Sequence, residues 1–326
     1  MGGGPPCGKH IECEPHYRLK ADVIDSASQW NPCDAAIQRD FDRRRQAAAR
    51  ACSIAAAGAH QGSGAYCLPH LVRDASPPRV SSGRVRWVEL PNNQSYLLPF
   101  DVAPFRSAHH VEADGRVVAG LLALAVAEQR TGEIFLNDFG AGVGQYGRSL
   151  LAHRPAHAGS RHQDQYRGFD GSGNIRSWTD GLVRWFDLTM PALALPRAQW
   201  VLSVEVGEHI PPEWEGVYLR NLHAHNCHGI ILSWAAAGQR GQGHINNHGM
   251  RYVRGKLEGL GYRVNESLTE RMGRGRPMQG MPIHDHLTRN LAVFERRQRI
   301  SPCVPTPGCP GGRAGSGRVG SGRPGG

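Results

Sequence analysis

The alternation of apolar and polar positions predicts helices in the first part of the chain and short buried strands in the rest. Apolar residues recur with helical spacing at Val117, Leu121 and Leu124, which predicts a helix over residues 111–129. Another helix is predicted over residues 34–57. Further along, short apolar runs are each followed by a helical or loop segment. The predicted strands cover residues 134–139, 165–169, 183–186, 200–204, 229–234, 262–264 and 290–295.

Strands that alternate with helices are typical of a parallel α/β sheet. The pair Pro211-Pro212 before an acidic stretch predicts a helix start, because proline suits the first turn and acids suit its positive end. The last long helix is predicted over residues 251–259. We therefore predict a Rossmann-like, seven-stranded, mostly parallel sheet with helices on both faces, within residues 108–296. Residues 1–107 are predicted to form a partly helical extension that caps the substrate pocket.

The composition indicates a globular protein without a membrane span. The chain has 326 residues, of which 40% are apolar, enough for a sizeable core. Its longest apolar run covers residues 117–127, whereas a bilayer span needs about 20 residues. No basic start followed by an apolar segment is present, so a cytoplasmic protein is predicted. None of the eight cysteines forms a CxxC pair, so a zinc site is not supported. Without a secretion signal reduced thiols are predicted, whereas a lost signal would allow disulfides among the first five cysteines.

Half of the net charge of +10 lies in the last 30 residues of the sequence. Residues 297–326 contain five arginines and no acidic residue, and no apolar periodicity runs through them. This composition predicts a disordered basic tail. Such a tail is either solvated or binds nucleic acid or an anionic membrane, so a nucleic-acid-binding protein is one alternative function.

The most informative motif is a glycine loop after the first predicted strand of the sheet. Asp138 lies at the strand end, and Gly140, Gly142 and Gly144 alternate before a helix begins. Glycines allow the backbone to turn tightly and approach a ligand closely. The spacing also fits the dinucleotide fingerprint, which leaves an NAD(P)-dependent oxidoreductase as a second alternative. An acid just before the glycines disfavours a pyrophosphate and favours a cationic ligand.

The pattern D-x-G-x-G-x-G resembles the first motif of class I S-adenosylmethionine (SAM)-dependent methyltransferases. The resemblance covers about residues 108–296 and includes residues 291–295, which match the antiparallel last strand of that family. It implies that the protein binds SAM and transfers its methyl group to an O or N atom of an acceptor. The acceptor and the oligomeric state are not readable from the sequence.

The resemblance also assigns roles to acids at the strand ends. It implies that Asp138 and the glycine loop hold the methionine part of SAM. Asp170, after the second strand, resembles the acid that binds the ribose hydroxyls. Asp187, which precedes Leu188 after the third strand, resembles the acid that contacts the adenine amine.

Residues 205–209 read E-V-G-E-H and resemble the fourth-strand motif E-x-x-E-H of the same family. In one interpretation Glu205 closes the SAM pocket, Glu208 assists catalysis, and His209 or His244 takes the proton of the acceptor. In the other, Glu205, Glu208, His209 and His244 hold a divalent cation, as a similar motif does in small-RNA 2′-O-methyltransferases. We favour the metal-free interpretation, because His244 lies on a glycine-rich loop whose direction the sequence does not fix.

The remaining histidines are predicted to be less important. His284 and His286 precede the last strand and are candidates for the substrate rim. His223, His225 and His228 are expected to be solvated or capping residues rather than a ligand set.

Overall fold

The computed structural model describes most of the predicted α/β region and part of the N-terminal extension. Most of residues 1–107 and residues 304–326 of the tail lie outside the described part, so the substrate cap and the nucleic-acid contact stay predictions. Among the described helices, none combines the length and the apolar composition that a bilayer crossing requires. The described residues are 35–54, 85–89, 95–99, 112–128, 133–153, 165–190, 195–241 and 243–303.

The helices begin and end close to where the apolar periodicity places them. The helices predicted over residues 34–57, 111–129 and 251–259 are observed as α1 (Ala35–Ile54), α2 (Gly115–Glu128) and α6 (Met250–Gly259). Single 3-10 turns lie at Gly207–His209 and Pro212–Trp214. The helices are α1 (Ala35–Ile54), α2 (Gly115–Glu128), α3 (Gln145–His153), α4 (Ile175–Trp178), α5 (Glu215–Ala224), α6 (Met250–Gly259), α7 (Glu266–Arg274) and α8 (Leu287–Asn290).

The predicted seven-stranded sheet is confirmed, and its order is β5-β4-β3-β6-β7-β9-β8. Strands β3 to β7 pair in parallel, whereas β9 is antiparallel to both β7 and β8. A separate antiparallel hairpin is formed by β1 and β2. The strands are β1 (Val85–Glu89), β2 (Ser95–Pro99), β3 (Leu136–Phe139), β4 (Tyr166–Asp170), β5 (Val183–Trp185), β6 (Ala198–Ser203), β7 (Asn226–Ser233), β8 (Tyr262–Val264) and β9 (Leu291–Arg296).

Strand β7 lies inside the sheet and is buried along its whole length. A strand covered on both faces is expected to be a nearly continuous apolar run, which is why Ile230, Ile231 and Leu232 are adjacent in the sequence. Ile230 packs into the cluster on one face and Ile231 into the cluster on the other. Gly229 has no space for a side chain, since a Cβ there would lie 2.5 Å from the Trp200 ring. These two packed faces fix the strand ends at which the candidate site is assembled.

The beginning of the predicted disordered tail is packed against the sheet, which corrects that prediction for residues 297–303. Cys303 is buried and forms a disulfide with Cys227 of β7. The backbone N–H of Cys303 donates to Glu133 Oε1 at 3.0 Å, and that of Ile300 donates to the Cys227 carbonyl at 3.0 Å. The expectation of reduced thiols is therefore wrong for this pair, which are 76 residues apart. A cross-link over such a loop stabilises a fold by about 4 kcal/mol in chain-entropy estimates.

Candidate active site

The glycine loop connects β3 to α3 with three left-handed glycines. The φ angles of Gly140, Gly142 and Gly144 are 80°, 54° and 78°, a region that residues with a Cβ rarely adopt. The backbone N–H groups of Gly140 and Ala141 donate to the Phe169 carbonyl, at 2.8 and 2.9 Å. A Cβ on Gly140 would lie 2.3 Å from Val206 Cγ2, within the E-x-x-E-H segment. The loop therefore lies beside both the end of β4 and the segment that follows β6.

Asp170, the last residue of β4, braces this loop from the neighbouring strand. Its Oδ2 accepts a hydrogen bond from the Gly142 N–H at 3.0 Å, and its Oδ1 accepts one from the Ser172 N–H at 2.9 Å. Burial raises the pKa of Asp170 above its usual range. The structure thus brings Asp170 to the loop, next to the position where the resemblance expects a ribose.

Asp138 lies beneath the loop and is almost completely buried. Its Oδ2 accepts a hydrogen bond from the Tyr166 hydroxyl at 2.9 Å. Burial raises the pKa of Asp138 to about 7, and the nearby Asp170 carboxylate acts in the same direction. A cationic ligand at this position would oppose that shift, because positive charge favours the ionised carboxylate.

Asp187 is engaged by the N-terminal helix, a contact that the sequence did not indicate. Its Oδ2 lies 3.0 Å from an Arg44 guanidinium nitrogen, and Arg44 also binds Asp40 at 2.9 Å. Its Oδ1 accepts hydrogen bonds from the N–H and hydroxyl of Thr189, at 2.9 and 2.6 Å. Three hydrogen bonds leave one acceptor position of the carboxylate, and the contact with an adenine amine stays a prediction. The adjacent Leu188 is buried in the apolar cluster of this face.

Helix α1 lies across the strand ends where Asp170 and Asp187 are found. The Phe41 ring packs edge-on against Trp185, with ring centroids 5.2 Å apart. A Cβ on Gly173 would lie 2.1 Å from the Ala48 carbonyl oxygen, so the two backbones are in close contact there. This helix is the part of the predicted N-terminal extension that the structure connects to the candidate site.

Glu205 has a strained backbone and a reciprocal hydrogen-bond partner. Its φ angle is 55°, which is unusual for a residue with a side chain and is typical of functional sites. The Glu205 N–H donates to Ser233 Oγ at 2.7 Å, and that hydroxyl donates back to Glu205 Oε1 at 2.8 Å. His286 Nε2 lies 3.6 Å from Glu205 Oε2. The structure therefore brings His286, but not the buried His284, to the E-x-x-E-H segment.

Glu208, His209 and His244 converge on one point. One ligand atom from each of the three lies within 4.8 Å of the others. Glu208 is 0% exposed, and neither of its carboxylate oxygens has a hydrogen-bond partner of ordinary geometry among the described residues. Nδ1 of His244 is also buried without such a partner. Burial and the neighbouring Glu205 carboxylate raise the pKa of Glu208 well above its usual range.

The loop that carries His244 is fixed by hydrogen bonds to the E-x-x-E-H turn. The backbone N–H groups of Ile245 and Asn246 donate to the Glu208 carbonyl, at 2.9 and 3.0 Å. Nδ1 of His209 lies 3.1 Å from the Gly243 carbonyl, which can only accept, so His209 donates there and keeps Nε2 as its acceptor nitrogen. The direction of the glycine-rich loop, which the sequence left open, is thus set by the turn beside it.

The other histidines are held elsewhere. His225 Nδ1 lies 2.8 Å from the Asn221 carbonyl, and His228 Nδ1 lies 3.2 Å from Glu128 Oε2. Burial lowers the pKa of both His223 and His225 to about 4. Among the described residues these three histidines make separate contacts, and His225 and His228 are buried rather than solvated.

The strand order, with the reversed β9 between β7 and β8, agrees with the sheet that the sequence resemblance implied. No protein-family profile and no characterised protein sequence matches the chain. Solved structures of methyltransferases are similar to it at low sequence identity. They include magnesium protoporphyrin IX methyltransferase (ChlM) from Synechocystis PCC 6803 with bound SAH, at 16% identity and a TM-score of 0.38 over 56% of this chain and 83% of that one.

Two further similar structures are those of methyltransferases whose names state different kinds of acceptor. The CurJ carbon methyltransferase is 12% identical, with a TM-score of 0.41 over 57% of this chain and 54% of that one. The small RNA methyltransferase HEN1 is 16% identical, with a TM-score of 0.39 over 57% of this chain and 26% of that one. These likenesses concern the fold and leave the acceptor open.

Proposed function

We propose that the protein is a SAM-dependent methyltransferase whose acceptor hydroxyl is activated at a divalent cation held by Glu208, His209 and His244. The observation that carries the proposal is the convergence of these three side chains on one point, around a fully buried Glu208 whose two oxygens make no hydrogen bond of ordinary geometry among the described residues. Polar atoms buried in this way are costly unless something satisfies them. A cation would do so, and it would compensate the charge of Glu208 beside the partly exposed Glu205.

The donor set suits such an ion. The carboxylate suits Mg²⁺ and Mn²⁺, and the two imidazoles suit the later first-row divalent metals. His209 already donates from Nδ1 to the Gly243 carbonyl, which is the outer hydrogen bond that a metal-binding histidine usually makes. We therefore favour the cation over the metal-free base that the sequence alone suggested.

Methyl transfer at this site would depend mainly on positioning. A bound divalent cation lowers the pKa of a coordinated hydroxyl and so supplies an oxygen nucleophile near neutral pH. The glycine loop and Asp170 would hold the methyl donor, and the turn Gly207–His209 would present the acceptor to it. Contact between Gly140 and Val206 keeps these two halves of the site adjacent.

Ligand binding tests the methyltransferase part of the proposal. SAM and SAH at 100 times their dissociation constants are expected to stabilise the protein by about 2.7 kcal/mol, a rise in Tm of roughly 5–10 °C. NADH and oligonucleotides serve as comparison ligands for the two alternative functions, and thermal denaturation is the measurement. A clear shift with NADH and none with SAM or SAH would contradict the proposal.

The affinity for SAM is expected to fall as the pH drops below about 7. The pKa of Asp138 is raised to about 7 in the free protein, so the carboxyl group is protonated below that pH and ionised above it. The positive charge of SAM favours the ionised form, so binding releases a proton. The affinity should therefore be full above that pH and fall by up to about tenfold per pH unit below it.

Titration calorimetry across this pH range checks the prediction. Asp138→Asn is the matched control, because it keeps the size of the side chain and removes its ionisation. The variant is expected to bind more weakly, with an affinity that changes much less with pH around 7. An equally flat profile for the wild-type protein would show that Asp138 does not sense the ligand.

A further inference from the structure

A buried carboxylate lies behind the loop that carries His244. Glu215 is the first residue of α5, and only 5% of its surface is exposed. Within the described part of the chain, its polar partners follow His244 within the next twelve residues. They are Tyr252 OH at 2.6 Å and Lys256 Nζ at 3.7 Å from Oε1, and Asn246 Nδ2 at 3.1 Å and His248 Nε2 at 3.2 Å from Oε2.

One of these partners links Glu215 directly to the proposed cation site. The Asn246 side chain donates to Glu215, while its backbone N–H donates to the Glu208 carbonyl at 3.0 Å. The Asn246 carbonyl in turn accepts from Trp234 Nε1 at 2.6 Å. The chain just after His244 is therefore held from three sides, by α5, by the E-x-x-E-H turn and by the end of β7.

The other partners keep the carboxylate fixed. The rings of His248 and Tyr252 stack with centroids 3.9 Å apart, so two of the donors support each other. A buried carboxylate is tolerated when several donors satisfy it, and removing its charge leaves those donors unpaired. Glu215 is not part of the cluster of Glu208, His209 and His244, so any effect on a cation is exerted through the loop.

We propose that Glu215 is a positioning residue that holds the His244 segment against the E-x-x-E-H turn, so that cation affinity depends on a carboxylate that never touches the cation. This inference rests on the proposed function, because the cluster must bind a divalent cation for the effect to be measured. Partners that orient metal ligands from outside typically change metal affinity by about 10–100-fold.

The test is Co²⁺ binding to the full chain carrying Glu215→Gln. The amide keeps the size of the side chain but cannot accept from every donor around it. Co²⁺ affinity is expected to fall by about 10–100-fold, with a changed visible absorption spectrum, because one ligand is no longer held in place. SAH affinity, measured on the same sample, should stay close to that of the wild-type protein. Glu213→Gln is the matched control, since it removes the same charge from an exposed position on the preceding turn.

A milder variant covers the case in which Glu215→Gln does not fold. Tyr252→Phe removes a single donor from a side chain that is 39% exposed, and it should weaken Co²⁺ binding several-fold without affecting SAH. Wild-type Co²⁺ affinity and spectrum in a folded Glu215→Gln protein would overturn the inference and leave the proposed function standing. A wild-type protein that binds SAH but no Co²⁺ would overturn both.

Discussion

Methyl transfer is expected to fall by about 10³-fold or more when Glu208 is replaced by glutamine, because a cation stabilises the reacting oxygen by several kcal/mol. The substitution keeps the shape of the buried side chain and removes the negative charge that would bind the ion. The amide fills the same buried space as the carboxylate, so the fold should be kept. The measurement is transfer of radiolabelled methyl from SAM into a cell extract that contains the acceptor.

Chelation separates this mechanism from a metal-free one. EDTA should abolish transfer by the wild-type protein, and added Mg²⁺ or Mn²⁺ should restore it. If His209 or His244 acts only as a general base, EDTA has no effect and each single alanine variant loses about 10²–10⁴-fold. Full methyl transfer after exhaustive chelation would therefore refute the proposed role of a divalent cation. SAH binding by the Glu208→Gln protein is the control for an intact cofactor pocket.

Asp170→Ala is expected to reduce SAM affinity by about 10²-fold or more. The variant loses two hydrogen bonds that fix the glycine loop, from the N–H groups of Gly142 and Ser172. It also removes the acceptor proposed for the ribose hydroxyls. Hydrogen bonds to a charged group contribute about 1.5–3 kcal/mol each. Losing two of them should therefore reduce the affinity for SAM by more than about 100-fold.

Calorimetry with SAH measures this loss, and thermal denaturation without ligand reports the stability of the fold. Glu258→Ala, at an exposed position of α6, controls for the loss of one acidic residue far from the glycine loop. Wild-type SAH affinity in Asp170→Ala would mean that the cofactor pocket lies elsewhere on the sheet.

The features that the sequence predicted are those that depend on neighbouring residues. The strands, the glycine loop and the segment from Glu205 to His209 are each encoded within about ten positions, so their patterns are visible without a structure. Parallel pairing of β3 and β4 places their carboxyl ends at one edge of the sheet, which is why the sequence predicts Asp138 and Asp170 in one site.

The features that the sequence missed depend on which elements meet. Arg44 binds Asp187 across 143 positions, and no local pattern marks either residue as the partner of the other. Glu215 belongs to the acidic stretch at a predicted helix start, and the sequence marks nothing else about it, because its four donors belong to a later loop and helix. The packed residues 297–303 were missed for a related reason, since their composition alone matches a disordered tail.

The disulfide between Cys227 and Cys303 also makes a closed covalent ring of the chain between these residues. The ring contains the His244 loop, β8 and β9, and therefore the reversed strand that completes the sheet. A protease that cuts once within this ring leaves both pieces in a single molecule, with β9 still attached next to β7. The half of the site carried by the ring is thus retained after a break in the backbone, and the fragments separate only when a reductant is also present.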